Sequence, residues 1–345
     1  MLTERQGLIL SGIIKDYTQL GTPVGSKALA NQLPFHVSSA TIRNEMAVLE
    51  ANGLIEKTHL SSGRVPSING YRYYVDHLNL SKVNTMDDLA VIHKALDMNY
   101  HKIDELVQHS ANILSDLTNY TALTLQPEQA TSRRLKGFRL VALGDQNVMA
   151  ILVTDNGDTE TAQFKIPTGV TGDQLESVVN LINDQLVGQP LSVVLKELKS
   201  KIPKEISKYL RSPDSFIDTL DQVLTRATRD RLYIGGEMNL LSFTDQSNIS
   251  YLKPLYSMLN QSGEISKYLG HSDHGISVQI GSEMSNKLLR NYSVITGTYD
   301  VGQYGKGMIA VLGPTRMPYS KVITLVSAFR EEIAKRLLGY YKENK

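Results

Sequence analysis

The run Ser38-Ser39-Ala40-Thr41-Ile42-Arg43-Asn44 sets small hydroxyl and methyl side chains around one guanidinium and one carboxamide. Arginine reads guanine and asparagine reads adenine through paired hydrogen bonds in the major groove. At about 100° per residue on a helix, Ile42, Met46 and Leu49 share one face, while Ala40 and Asn44 point away and Thr41 and Arg43 lie on the flanks. The apolar face suits a core, and short residues opposite it let a helix sit deep in a groove. Taken alone, the same pattern also describes an ordinary amphipathic surface helix, so its neighbours decide.

The nearest neighbour is Ser61-Ser62-Gly63-Arg64, the tip of a hairpin, which offers hydroxyls, backbone N–H groups and a cation to a phosphate backbone or a minor groove. Lys57 and His59 add polar groups on the same hairpin. Ser26 and Lys27 open a short helix whose N-terminus suits a phosphate, with Ser26 equally well explained as a plain N-cap. Arg72 and Tyr73 serve either as backbone contacts or as packing and solvated surface.

The elements that must hold these residues follow from caps and periodicity. Thr3 and Gln6 form a capping box ahead of Ile9, Leu10, Ile13, Ile14 and Tyr17 at helical spacing, and Gly21 and Pro23 end that helix. A second helix runs from Ser26 to Leu33, and a third from its Ser38 cap to Asn52, with Gly53 as its stop. Leu54 to Leu60 and Arg64-Val65 then read as a hairpin closed by Pro66, and Tyr71 to Leu78 as a fourth helix. Three helices followed by a hairpin is the winged-helix order.

Beyond the polar stretch Asn79 to Thr85, positions 89, 92, 96, 99, 103, 106, 110, 113 and 117 alternate spacings of three and four, predicting one long helix with a heptad seam. With about four heptads, that seam serves either a dimer coiled coil or packing along the domain's own sheet. Strands are expected at Gly137–Leu143, Val148–Thr154 and Glu160–Lys165 as two antiparallel hairpins, and helices at Gln174–Leu186 and Leu191–Leu198. The rhythm breaks from Lys201 to Ile249, which reads as an insertion. A helix from Leu252 to Leu269, strands near 276–280, 294–299 and 306–312, and a final helix from Lys321 to Tyr340 complete an α+β chain.

Bulk properties exclude more than they assign. The 345 residues, 41% hydrophobic and 21% charged, exceed one ordinary core and predict two or three domains. No cysteine is present, which removes disulfides and thiol chemistry and fits a reducing, cytoplasmic compartment. Neither an export signal nor a bilayer-spanning run is legible, so no membrane partner is expected. Residues 1–75 carry seven Lys/Arg against five Asp/Glu, a balance of +2. So few charges neutralise few phosphates, and a homodimer on two half-sites of double-stranded DNA is the expectation.

The motifs Pro23-Val24-Gly25-Ser26-Lys27, Val37 to Met46, Ser61 to Ser67 and Gly70-Tyr71-Arg72-Tyr73-Tyr74-Val75-Asp76 resemble those of the HrcA heat-inducible transcription repressors. The likeness continues through Tyr233-Ile234-Gly235-Gly236, Asn239-Leu240-Leu241 and Val311 to Met317. Ile280-Gly281-Ser282-Glu283-Met284 departs from it, since glycine, two acidic residues and asparagine are expected there. The resemblance implies a winged helix-turn-helix over 1–78, a GAF-like mixed α/β domain over 79–200 and 251–345, and an inserted dimerising segment over 201–250. It also implies a CIRCE inverted-repeat operator ahead of chaperone operons, and an active form maintained by the GroEL chaperonin.

Two other classes compete. A metabolite-controlled regulator would keep the DNA module and bind a ligand in the second domain. An enzyme finds little support: His271-Ser272-Asp273-His274 is the one metal-like cluster and suits a solvated loop, and Gly302, Gly305 and Gly307 fit no dinucleotide or phosphate-loop spacing. No catalysis, cofactor or metal is therefore expected.

Overall fold

The structure is a computed structural model. It describes the chain apart from residues 1, 34–36, 59–62, 79–85, 98–99, 101, 128–132, 156, 158, 211–213, 229–231, 244–248, 260–264, 266–267, 270–274 and 344–345.

Helix α1 (Glu4–Leu20) starts on the reciprocal Thr3/Gln6 capping box and ends at Gly21, whose φ of 70° turns the chain out of the helix. Helix α2 (Ser26–Ala30) is capped by the Gly25 backbone, so Ser26 is its first helical residue rather than its cap. Helix α3 (Ser39–Ala51) follows its Ser38 cap. Strands β1 (Ile55–Lys57) and β2 (Arg64–Pro66) pair antiparallel with Lys57 opposite Arg64, and Val24 bridges to Arg64 on the other side. Helix α4 (Ile68–Asp76) begins earlier than its apolar spacing suggests because the Ser67 hydroxyl accepts the Gly70 N–H at 3.0 Å.

The predicted long helix is two helices, α5 (Met86–Ala95) and α6 (Ile103–Thr118). Along the seam Ile92, Leu96, Leu106, Ser110 and Ile113 are buried within this one chain. Packing on the chain's own core therefore accounts for the spacing, with α6 against strands β3 and β7 and both helices against the C-terminal helix. Strand β3 (Thr121–Leu125) has no counterpart among the expected strands. It is buried at every position, so it shows none of the alternation that marks a half-exposed strand.

Strand β3 lies inside a five-stranded antiparallel sheet of order β7-β3-β10-β9-β8, with β7 at Leu232–Gly235, β8 at Ile276–Ile280, β9 at Tyr292–Asp300 and β10 at Lys306–Pro314. Helix α11 (Ile249–Leu259) covers the first part of the expected 252–269 helix, of which residues 260–264 and 266–267 lie outside the described residues, and the C-terminal helix α12 (Tyr319–Glu343) packs across β9 and β10. One hydrophobic core runs from Ile9, Leu29 and Leu49 of the helical module to Ile309, Val326 and Phe329 of this sheet layer.

Residues Met1–Gln126 and Leu232–Lys345 form one compact unit, and Pro127–Arg231 a second. The inserted body thus starts well before the expected 201–250 segment and ends inside it. It contains the meander β4-β5-β6 (Leu135–Gly144, Asn147–Thr154, Thr159–Lys165) and helices α7 (Gly172–Leu186), α8 (Leu191–Ser200), α9 (Ile202–Ile206) and α10 (Asp214–Thr228). The reason is packing: Leu135, Phe138 and Leu152 bury against Val178, Val194, Phe216 and Leu220 in a core of their own.

Candidate nucleic-acid interface

Ser38 Oγ accepts the Thr41 N–H at 3.1 Å and lies 2.9 Å from Thr41 Oγ1. Both side chains thus start helix α3, and Ser39 beside them is half-buried. Ile42, Met46 and Leu49 are buried at 0–3% exposure, which leaves Ala40, Arg43, Asn44 and Ala47 as one exposed stripe. Ala47 was not among the expected contacts; its position three and four residues past Asn44 and Arg43 is the signal that places it there. Neither Arg43 nor Asn44 has a hydrogen bond or ion pair among the described residues, so both are available to a ligand.

A buried acid fixes this helix. Glu45 accepts from Arg5 Nε at 2.8 Å and Gln6 Nε2 at 3.0 Å, which ties α3 to the first turn of α1. Those hydrogen bonds, Gln6 first and then Arg5, hold its carboxyl below the usual range against the opposing effect of burial. Periodicity places Glu45 beside core positions without naming its partners, which lie some forty residues earlier in the chain.

On the wing, Arg64 is not a free cation. Its Nε lies 2.9 Å and its Nη2 2.7 Å from Glu50 Oε2, which couples the hairpin to the end of α3. Gly63 is buried against Pro23, where a Cβ would lie 2.7 Å from Pro23 Cβ and 2.9 Å from its carbonyl oxygen. It is a point of close backbone approach, which a residue without a Cβ permits. Ser61, Ser62 and His59 lie outside the described residues. Lys57 and Lys27 are exposed, and Ser26 is half-buried.

Arg72 and Tyr73 take the packing role of their two alternatives. Arg72 Nε donates to Glu283 Oε1 at 2.7 Å, Nη1 to Asp76 at 3.3 Å and Nη2 to the Val278 carbonyl at 2.6 Å. Burial pushes the Glu283 carboxyl up, and hydrogen bonds from Arg72 and the Ile280 N–H outweigh it, leaving the group below its usual range. Glu283 lies in the turn that departs from the family pattern. Tyr73 stacks on His77 with centroids 4.0 Å apart, and its hydroxyl accepts the Leu2 N–H at 3.4 Å.

Of the seven cations before residue 76, Arg5, Arg64 and Arg72 are thus paired with acids, while Lys15, Lys27, Arg43 and Lys57 have no such partner among the described residues. The described residues hold no group of three acidic, histidine or cysteine side chains that suits a metal, and no helix long and apolar enough to cross a membrane. The His271 to His274 cluster lies outside them.

The winged helix-turn-helix DNA-binding model of the HrcA transcription repressors matches residues 1–77, and the HrcA protein C-terminal domain matches 104–323. The chain is 54% identical to the heat-inducible transcription repressor HrcA of Limosilactobacillus reuteri and 51% identical to that of Ligilactobacillus salivarius, covering 99% of both chains each time. The Enterococcus faecalis repressor is 46% identical over the same share. A hypothetical protein with a crystal structure at 2.2 Å shares the fold, with a TM-score of 0.63 over 98% of this chain and 99% of that one at 21% identity. An exposed polar face on the third helix, a hairpin clasped beside it and this likeness along the whole length agree: the chain belongs to the HrcA family of heat-inducible transcription repressors.

Proposed function

We propose that this repressor binds as a homodimer to a CIRCE-type inverted repeat ahead of chaperone operons and blocks their transcription, with its active form maintained by the GroEL chaperonin. The observation that carries the reading is the stripe Ala40-Arg43-Asn44-Ala47, exposed and unengaged on a helix whose other face is core. Arg43 and Asn44 read base edges there, and the two methyl groups allow close approach. Lys27, Lys57, Ser61 and Ser62 address phosphates, while Ser38, Ser39, Thr41, Gly63 and Arg64 shape the surface that presents them.

Two copies are needed because the four cations per module without an acidic partner among the described residues neutralise few phosphates. The inserted body offers a pairing surface: among the described residues β4 pairs with β5 alone, and Val141 and Leu143 on it are 43% and 47% exposed. An apolar edge strand of this kind invites another strand, and a second copy supplies one. Dependence on a chaperonin fits a sheet in which β3 must wait for β7 across the whole insertion, since such nonlocal pairing folds slowly and exposes apolar surface meanwhile.

The test is a gel-shift series on an inverted-repeat duplex. Arg43→Ala and Asn44→Ala are each expected to lose about 1–3 kcal/mol on the operator and little on a scrambled duplex. Parent-like binding by both would remove the recognition surface, and an active fraction unchanged by added chaperonin would remove the feedback.

A further inference from the structure

Three contacts seat the winged helix on the five-stranded sheet, all inside one compact unit. The first is the fork of Arg72 on Glu283, with Glu283 held from its own side by the Ile280 N–H at 2.8 Å and Arg72 also bound to the Val278 carbonyl. The second is apolar. Ile68 presses on Gly281, where a Cβ would come within 2.8 Å of Ile68 Cδ1, and Tyr71 meets Tyr319 with ring centroids 5.5 Å apart. Tyr319 is itself fixed by donating to the Thr315 carbonyl at 2.7 Å. The third is Arg316, whose guanidinium lies 5.9 Å from the Tyr17 ring centroid and so close to Gly21 that a Cβ there would collide with it. It stands at the carbonyl end of α1, where a cation is favoured.

A bidentate arginine fixes direction as well as distance, and a second cation set against a different helix, α1, removes the swivel that one contact leaves. None of these groups belongs to the DNA-facing stripe. We propose that Arg72, Glu283 and Arg316 are positioning residues that set the angle of the recognition helix against the sheet, and with it the half-site spacing the repressor accepts. The proposal rests on the dimeric, inverted-repeat reading above. Two rigidly held recognition helices match half-sites at one separation and phase, because each inserted base pair turns the next half-site by about 35°. A loosened seat accepts more spacings and binds the best one less tightly, since orientation is then fixed only on binding.

The experiment uses the full chain with Glu283→Gln, Arg72→Lys or Arg316→Met. Binding is measured to a single half-site, to the inverted repeat, and to repeats with one to three base pairs inserted or removed. The parent is expected to prefer the repeat over the half-site by about 100-fold or more and to lose that preference on insertion. The variants are expected to bind the half-site within about twofold of the parent, bind the repeat about tenfold less tightly, and show a flattened spacing profile. Glu283→Gln and Arg72→Lys open the same fork from opposite sides, so a folding defect in one, seen as early melting, leaves the other to decide. A parent-like spacing profile overturns the proposal, as does loss of half-site binding by a folded Arg72→Lys, which would make Arg72 a direct contact. A parent that binds the repeat no better than the half-site overturns the dimeric reading itself, and the proposal with it.

Discussion

Arg64 on the wing and Glu50 near the end of α3 form an ion pair, Nε to Oε2 at 2.9 Å, with the Arg64 side chain only 16% exposed. The pair joins the two parts of the module that are proposed to meet DNA. Breaking it from either side is expected to have the same effect: Arg64→Ala and Glu50→Gln each lower thermal stability by about 0.5–1 kcal/mol and weaken operator binding to a similar degree. Loss of binding in Arg64→Ala alone, measured by titration of a labelled operator, would show instead that Arg64 touches the DNA.

Ala47 extends the exposed stripe by one turn, and on the proposed interface close approach to a groove would limit its size. Ala47→Glu is expected to melt within about 0.5 kcal/mol of the parent, as surface substitutions do. It should abolish operator binding, because a carboxylate then faces the groove. Unchanged binding in a gel shift would take Ala47 out of the interface.

Lys27 is exposed, bears no ion pair among the described residues, and sits on a helix that supports α3. Lys27→Ala is expected to weaken operator and scrambled duplexes alike, and to reduce the slope of log K against log salt by about 1 per module. A sequence-selective loss would mean that Lys27 reads a base.

Glu45 gives the module a pH dependence with a definite sign. Its folded carboxyl is held below the ordinary value of 4.5 by Gln6 and Arg5, so its contribution is complete above that value and is lost as the pH falls through the lowered folded one. Stability of the parent should therefore drop more steeply than that of Glu45→Gln as the pH is lowered from about 5 toward 3. Glu45→Gln should already be less stable at pH 7, since Arg5 and Gln6 lose their charged acceptor. Parallel stability curves from denaturant melts across that range would contradict the assignment.

Gly63 lies where a methyl group would meet Pro23, partly at its backbone. Gly63→Ala is expected to cost about 1–3 kcal/mol in a thermal melt, in line with overpacking elsewhere, and to displace the wing. A parent-like melt would mean that the Pro23 turn yields freely.

Local chemistry made much of this protein legible from its residues. The Thr3/Gln6 box, the Ser38 cap and the Ile42-Met46-Leu49 face belong to single helices, and the same residues form them in the structure. The exposed side of α3 followed directly, because fixing the buried face fixes the opposite one. Strand β3 is invisible to spacing because burial at every position erases alternation, and the seam spacing carries on across the break between α5 and α6.

Partners distant in the chain had to wait for the tertiary structure. Spacing presents Arg64 and Arg72 as cations available to phosphate, and only folding brings Glu50 and Glu283 within hydrogen-bond reach of them. The extent of the inserted body was decided in the same way, by which apolar faces close on one another between 127 and 231. Caps and periodicity are properties of a few successive residues, so the sequence by itself determines them. An ion pair or a core is a choice among all residues the fold brings near, and that choice exists only once the chain has closed.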